Sequence, residues 1–351
     1  MQVIQLGPYP PPYGGVQANL VAIREHLRRK GIESGVVNLT RHRKDPGNGV
    51  FFPRTALEVA SLLLRLPARI LHLHIGGSVS RRVAALGLFC GLLPGRRTVL
   101  TFHSGGYPSS EEGRNADARS FRGFAFRRFD RIIVVNDQLV DVFRRYGVKP
   151  ERIRLIHPHA IDRDEVAPSL TEPLGSFYRS HAQVLLSVGL LEPEYDLSLQ
   201  IDVLERVRRR YPSTGLVIIG SGSLEGKLRE RIASKSYGEH ILLTGDVAHP
   251  QALRAIQDAD VLLRTTLYDG DAVSVREALF LGTPVIATDN GMRPPGPRLI
   301  PVRNADALDA AIAEALPRKE ERSARSELSG RENLEAVFEL YRELAPIGPD
   351  C

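Results

Sequence analysis

Short apolar runs alternate with helical stretches along nearly the whole chain, and this alternation constrains the fold more than any other feature. VIQL, GVVNL, ILHLHI, TVLTFH and RIIVVN form a first series, and VLLSVG, LVIIG, ILLTG, DVLLR, PVIAT and RLIPV a second that begins near Val184. Continuous apolar runs of this length suit parallel strands covered by helices on both faces. Segments such as QANLVAIREHLRRK, after Gly15, carry the helical period between them. RLIHPHAIDRDEVAPSLTEPLGSF, rich in proline and polar residues, separates the two series and reads as a linker. The expected fold is therefore α/β, two doubly wound Rossmann-like domains with a cleft between them, and ligands belong at the carboxyl ends of the strands.

Charge divides unevenly over this frame. Residues 1–170 hold 26 Lys and Arg against 14 Asp and Glu, and the remainder 21 against 27. A basic first half suits an anionic membrane surface or a phosphorylated lipid acceptor, or consists of solvated arginines with no particular partner. Nucleic acid is not expected, because no zinc-ligand spacing, RNA-binding aromatic signature or basic helix pattern accompanies the arginines. The N-terminus MQVIQLGPYP lacks a basic leader and reads as a first strand, and the longest apolar run, from Val83, is too short to span a bilayer. Two cysteines cannot build a disulfide framework, and Cys90 reads as a small core residue. The expected location is cytoplasmic, or peripheral on the inner face of the membrane.

The richest stretch is TTLYDGDAVSVREALFLGTPVIATDNG, from Thr265 to Gly291. It reads as acidic loop, helix from about Ala272 to Leu281, then strand. Ser274 and Glu277, three apart, share a helix face that can look into a cleft. The amides of Ala272 and Val273 at the helix start, beside Gly270 and Asp271, suit an anion such as phosphate. Asp269 and Glu277, with seven residues between them, suit the hydroxyls of the same ligand, because carboxylates accept hydrogen bonds from hydroxyls and repel phosphate. Two further glycine loops follow strands: Gly14 and Gly15 close a proline-rich loop at a helix start, and Gly220, Gly222 and Gly226 lie in IGSGSLEGKLRERI. With Asp246 downstream, the second invites a dinucleotide-dependent oxidoreductase, but its spacing is off by one and it lies mid-chain. His72 and His74 share a strand face, and His103 ends the next strand before Ser104-Gly105-Gly106. No Cys or carboxylate joins them in either strand, so no metal site is expected.

Thr266, Asp269, Gly270, Glu277, Ala278, Gly282, Pro284 and Val285 stand in the register of a known signature. This segment resembles the retaining glycosyltransferases of family 4, of the bacterial polysaccharide and glycolipid type, with Asp in place of the first Glu. The resemblance implies a GT-B fold with an acceptor domain over 1–165, a nucleotide-sugar donor domain over 166–328 and a terminal helix over 329–351 crossing back to the first. It also implies a hexosyltransferase that needs no cofactor and moves a sugar from a nucleotide-diphosphate donor to a glycan or lipid-linked acceptor. Glu277 would take the ribose hydroxyls and Asp269 a sugar hydroxyl, Gly15 the diphosphate, and His103 the sugar, while Gly222 would help shape the donor pocket. A nucleotide-sugar-binding protein without transfer activity is the alternative.

The family's Val-Gly-Arg and the Lys five residues on are replaced here by VGLLEPEYD, which puts Leu190 and Tyr195 where two cations would neutralise the diphosphate. Pro158-His159-Ala160 replaces the usual Pro-Asn-Gly, and the Glu after Gly291 is missing. Arg264 and Arg293 are the nearest arginines in sequence and are expected to supply the lost charge. Asp269-Gly270-Asp271 is similar to a metal-binding motif of a different glycosyltransferase fold, but no metal is expected.

Overall fold

The computed structural model describes residues 1–10, 14–40, 49–158, 166–269, 272–291, 293–316 and 330–348. The chain divides into two compact units. Met1–Pro11, Gly15–Ala160 and Gly330–Cys351 form the first, and Pro12–Gly14 with Ile161–Ser329 the second. The boundary residues 165 and 328 expected from the sequence lie outside the described residues.

The first unit is built on a seven-stranded sheet of β1 (Val3–Gly7), β2 (Ser34–Asn38), β3 (Val50–Phe51), β4 (Ile70–Ile75), β5 (Arg97–Phe102), β6 (Arg131–Val134) and β7 (Ile153–Leu155). The second carries β8 (Gln183–Val188), β9 (Thr214–Ile219), β10 (Ile241–Gly245), β11 (Val261–Arg264), β12 (Val285–Thr288) and β13 (Arg298–Ile300). Their spatial orders are β3-β2-β1-β4-β5-β6-β7 and β10-β9-β8-β11-β12-β13, with every pairing between these strands parallel. All eleven anticipated runs are strands. β3 and β7 were not anticipated. They are two and three residues long and lie at the sheet edges, too short to carry a periodic signal. β7 and the helix Leu174–Ser180 also occupy the two ends of the stretch that reads as a linker.

Apolar side chains cover both faces of each sheet, as parallel strands require: β4 and β9 are buried at every position. Leu334, Val337, Phe338 and Tyr341 of helix Arg331–Leu344, spaced three and four apart, bury one stripe against Ile23 and Leu27 of helix Gly15–Arg29 and against Val3, Ile70 and Val99 of the sheet. The apolar run from Val83 lies in helix Arg81–Leu92, where Cys90 is buried and its thiol is pushed up to about 12 by that burial. Among the described residues no helix is long and apolar enough to cross a membrane. Each strand order reverses once, between β1 and β4 and between β8 and β11. Crevices at such reversals are where open α/β sheets bind ligands.

Candidate active site

At the reversal of the second sheet, β8 ends at Val188 and β11 at Arg264. The Arg264 guanidinium donates from Nη1 to the Val188 carbonyl at 3.0 Å and from Nε to Asp269 Oδ2 at 2.8 Å, and lies over the Tyr195 ring at 4.7 Å. Asp269 Oδ2 also accepts from Arg293 Nη1 at 2.9 Å and from Thr266 Oγ1 at 3.2 Å. Burial alone would raise the Asp269 carboxyl, but the charges and hydrogen bonds of the two arginines hold it down at about 2. Burial likewise acts against the charge of Arg264, yet Asp269 keeps its pKa above the ordinary value. For Arg293 burial prevails and the pKa falls. Two guanidiniums against one carboxylate leave this cluster with one net positive charge.

The cluster pairs Arg264 and Arg293, the two arginines expected to supply the lost charge, with the carboxylate of Asp269. Arg293 is only 2% exposed and also donates from Nε to the Thr288 carbonyl at 3.0 Å and from Nη2 to Thr266 Oγ1 at 2.6 Å. All three of its nitrogens are thus held inside the unit, because the end of β12 and Asp269 surround it. Asp269, expected to meet a sugar hydroxyl, is the counter-ion that makes two adjacent buried arginines tolerable. Arg264 differs from Arg293 in lying over the Tyr195 ring and donating to the Val188 carbonyl, at the loop after β8. From the end of β11 it also reaches the loop that lost its cations. A Cβ on Gly189 would lie 2.2 Å from Tyr195 and 2.9 Å from Arg264 Nη1, so the glycine before Leu190 is what lets the arginine in.

Next to this cluster, helix Val273–Leu281 starts after Ala272 with no side-chain cap and no acidic residue in its first turn among the described residues. Gly270 and Asp271, expected beside that helix end, lie outside the described residues. Gly282 ends the helix in a left-handed conformation, φ 80°, which accounts for the glycine before Pro284 and Val285. On the helix face expected to look into a cleft, Ser274 and Glu277 are both buried. Ser274 Oγ donates to the Val188 carbonyl at 3.3 Å, and the Glu277 side chain, 5% exposed, sits 2.7 Å from His249 Nε2. His249 opens helix His249–Asp258 and was missed in the sequence. A histidine at a helix start is an ordinary residue until the fold sets Glu277 against it.

Gly222 has a local structural reason. A Cβ there would come within 2.6 Å of the Leu191 carbonyl oxygen, and one on Gly220, φ 139°, within 1.8 Å of the Gly189 oxygen. These glycines let the loop after β9 lie directly on the loop after β8, which explains them without a dinucleotide.

In the first unit, helix Gly15–Arg29 begins at the carboxyl end of β4, since a Cβ on Gly76 would meet Val16 at 2.8 Å. Gly14 and Gly15 stand at that start, and the first turn of the helix has no acidic residue. His103 follows β5 and stacks on His74, ring centres 5.7 Å apart, with His103 Nε2 3.4 Å from His74 Nδ1. His74 in turn lies 4.0 Å from the His72 ring. Burial lowers all three histidines, His72 and His103 to about 3, so they are neutral at pH 7. Among the described residues no group of three or more His, Cys, Asp or Glu could hold a metal ion.

Twin parallel sheets with polar machinery at the reversal of each define the GT-B class of glycosyltransferase. Residues 13–164 match the family model "Glycosyltransferase Family 4" and residues 178–329 the model "Glycosyl transferases group 1". The phosphatidyl-myo-inositol mannosyltransferase of Mycobacterium tuberculosis is 25% identical over 330 residues, 86% of this chain and 83% of that protein. An uncharacterised glycosyltransferase of Methanocaldococcus jannaschii is 26% identical over 169 residues, 47% of this chain, so the chain matches only 41% of that relative's length. Among solved structures, Anabaena HepE in complex with UDP and glucose superimposes with a TM-score of 0.69 at 14% identity, over 98% of this chain and all of that one. The two halves of the chain thus carry glycosyltransferase domains, of family 4 and of group 1, on a GT-B fold.

Proposed function

We propose that the protein transfers a glycosyl unit, with retention of configuration, from a nucleotide-diphosphate sugar to a hydroxyl of a glycan or lipid-linked acceptor. In that reaction the bond from the anomeric carbon to the diphosphate breaks with its electron pair remaining on the phosphate oxygen. The acceptor oxygen bonds to the same carbon, and its proton passes to the departing diphosphate. Negative charge grows on the leaving group, so fixed positive groups and amides contribute most of the stabilisation. The observation that carries the reading is the cluster of Arg264, Asp269 and Arg293 beside the uncapped start of helix Val273–Leu281. On this reading Arg264 and the amides of Ala272 and Val273 face the diphosphate, and the Gly15 amide is a further candidate for it. Glu277, held by His249, takes the ribose hydroxyls, and His103 reads a sugar hydroxyl.

Glu277 gives the direct test. Its replacement by Ala is expected to weaken nucleotide binding by about 1 to 3 kcal/mol, the worth of charge-assisted hydrogen bonds to a carboxylate. Glu277 is buried, so Glu277→Gln, which keeps the volume, should be measured beside it by calorimetry. Unchanged nucleotide affinity in folded forms of both variants would remove Glu277 from the site.

The M. tuberculosis relative is named a phosphatidyl-myo-inositol mannosyltransferase, which supports the reading of a lipid-linked acceptor met by the first unit at an anionic membrane surface. Of the four arginines around the apolar run, Arg97 is paired with Asp130 at 3.1 Å and Arg96 is turned onto the carbonyls of Leu63 and Leu64. Arg81 and Arg82 stay exposed, and helix Ala56–Arg65 exposes Leu57 and Leu64, seven apart on one face. The protein is expected to sediment with acidic lipid vesicles and to be released by salt. Equal recovery with neutral vesicles would speak for solvated arginines that bind nothing.

A further inference from the structure

Gln5 is a buried glutamine in the middle of β1, paired in register with Val36 of β2 on one side and His72 of β4 on the other. Its amide orientation is fixed by chemistry. Nε2 lies 3.2 Å from the Leu20 carbonyl, which can only accept, so Nε2 donates there and Oε1 is the atom 3.0 Å from His74 Nε2. An amide oxygen can only accept as well. His74 therefore carries its proton on Nε2, and in a neutral ring Nδ1 is then bare. That bare nitrogen faces His103 Nε2 at 3.4 Å, so His103 must bring the proton to this contact. The register is held from the other side by His72, whose Nδ1 meets Tyr341 Oη at 2.5 Å and whose Nε2 meets Thr101 Oγ1 at 2.7 Å. Both nitrogens of His72 are occupied, and its ring closes off the inner face of His74.

We propose that Gln5 and His74 are positioning residues that lock His103 in the Nε2–H tautomer, so that its Nδ1 is presented as a hydrogen-bond acceptor to a hydroxyl of the donor sugar. The sugar contact rests on the reading of His103 given above; the tautomer does not. No hydrogen bond within the described residues reaches His103 Nδ1, and burial keeps the ring neutral, so the acceptor is available throughout the physiological range. A hydroxyl that donates to this nitrogen is selected over a group that only accepts. His103 in the other tautomer would reverse that preference.

The test is nitrogen-15 NMR of histidine-labelled full-length protein, with the His103 ring signals assigned by their loss in His103→Asn. The expected wild-type result is a protonated Nε2 and a bare Nδ1. Gln5→Leu, which removes the acceptor, should release the proton to the other nitrogen in a substantial fraction of molecules. Gln5→Glu should restore the wild-type pattern, because a buried carboxylic acid donates to the Leu20 carbonyl and accepts from His74 as the amide does. His103 found with its proton on Nδ1 in the wild type overturns the proposal, even if no variant folds. So does an unchanged tautomer in folded Gln5→Leu. Undiminished transfer by His103→Asn would instead overturn the sugar contact, and would leave the measured tautomer standing.

Discussion

Asp269→Asn is expected to destabilise the second unit by about 3 to 5 kcal/mol, the cost of removing one partner from a buried ion pair and leaving uncompensated charge behind. Arg264 and Arg293 would then face each other across a neutral amide, at 8% and 2% side-chain exposure, with only the more distant charge of Asp289 acting on Arg293. The same residue sets a dependence on acid. Its folded pKa, about 2, is depressed below that of an unfolded aspartate near 4, so its contribution is complete above the unfolded value and is lost as pH falls through the folded one. The wild type should therefore lose about 2 kcal/mol between roughly pH 4 and pH 2 that Asp269→Asn does not lose. Denaturant melts of both proteins over that range check this. An Asn variant as stable as the wild type at pH 7 would show that the arginines find other compensation.

Arg264→Ala is expected to leave Asp269 paired with Arg293 and to strike donor binding instead. A diphosphate brings about two negative charges, of which a helix end offsets about half of one. With Leu190 and Tyr195 at the two positions usually cationic, the charge at the end of β8 has to come from β11. Loss of that guanidinium should raise the donor requirement by about 2 to 4 kcal/mol, or roughly 30- to 1000-fold. Transfer should persist in excess chelator. Activity abolished by chelator and restored by Mg²⁺, with Arg264→Ala unaffected, would assign the charge to a metal. Arg293→Ala should behave differently, lowering stability in the manner of Asp269→Asn, since all its nitrogens are held within the unit.

The sequence made the sheets legible because buried parallel strands are long apolar runs, and eleven of them announce themselves. It did not show β3 and β7, which at two and three residues depend on a neighbouring strand more than on their own side chains. The candidate site was legible where one local segment carries it: Thr266, Asp269, Glu277 and Gly282 are read from their register in the family signature that the segment resembles. What spacing cannot show is a partner from elsewhere in the chain. His249 meets Glu277 from 28 residues away, Arg264 reaches the loop of Gly189, and Gln5 acts on His103 through a third residue. Burial was also beyond reach. A carboxylate three residues from a serine on a helix shows a shared polar face, and how deeply that face is buried is known only once the packing of a second helix is.

The first unit is discontinuous in sequence: Leu334, Val337, Phe338 and Tyr341 complete its core, yet they follow the whole of the second unit along the chain. During synthesis, the second unit's strands are all available before the ribosome reaches residue 331, whereas the sheet of the first waits with Val3, Ile23 and Ile70 uncovered on one side. The buried seat of His72 is likewise unfinished until Tyr341 arrives. The lobe whose strands are translated first thus cannot complete its core until residues 331–344 have been made, and the seat of the histidines behind His103 waits for the same segment.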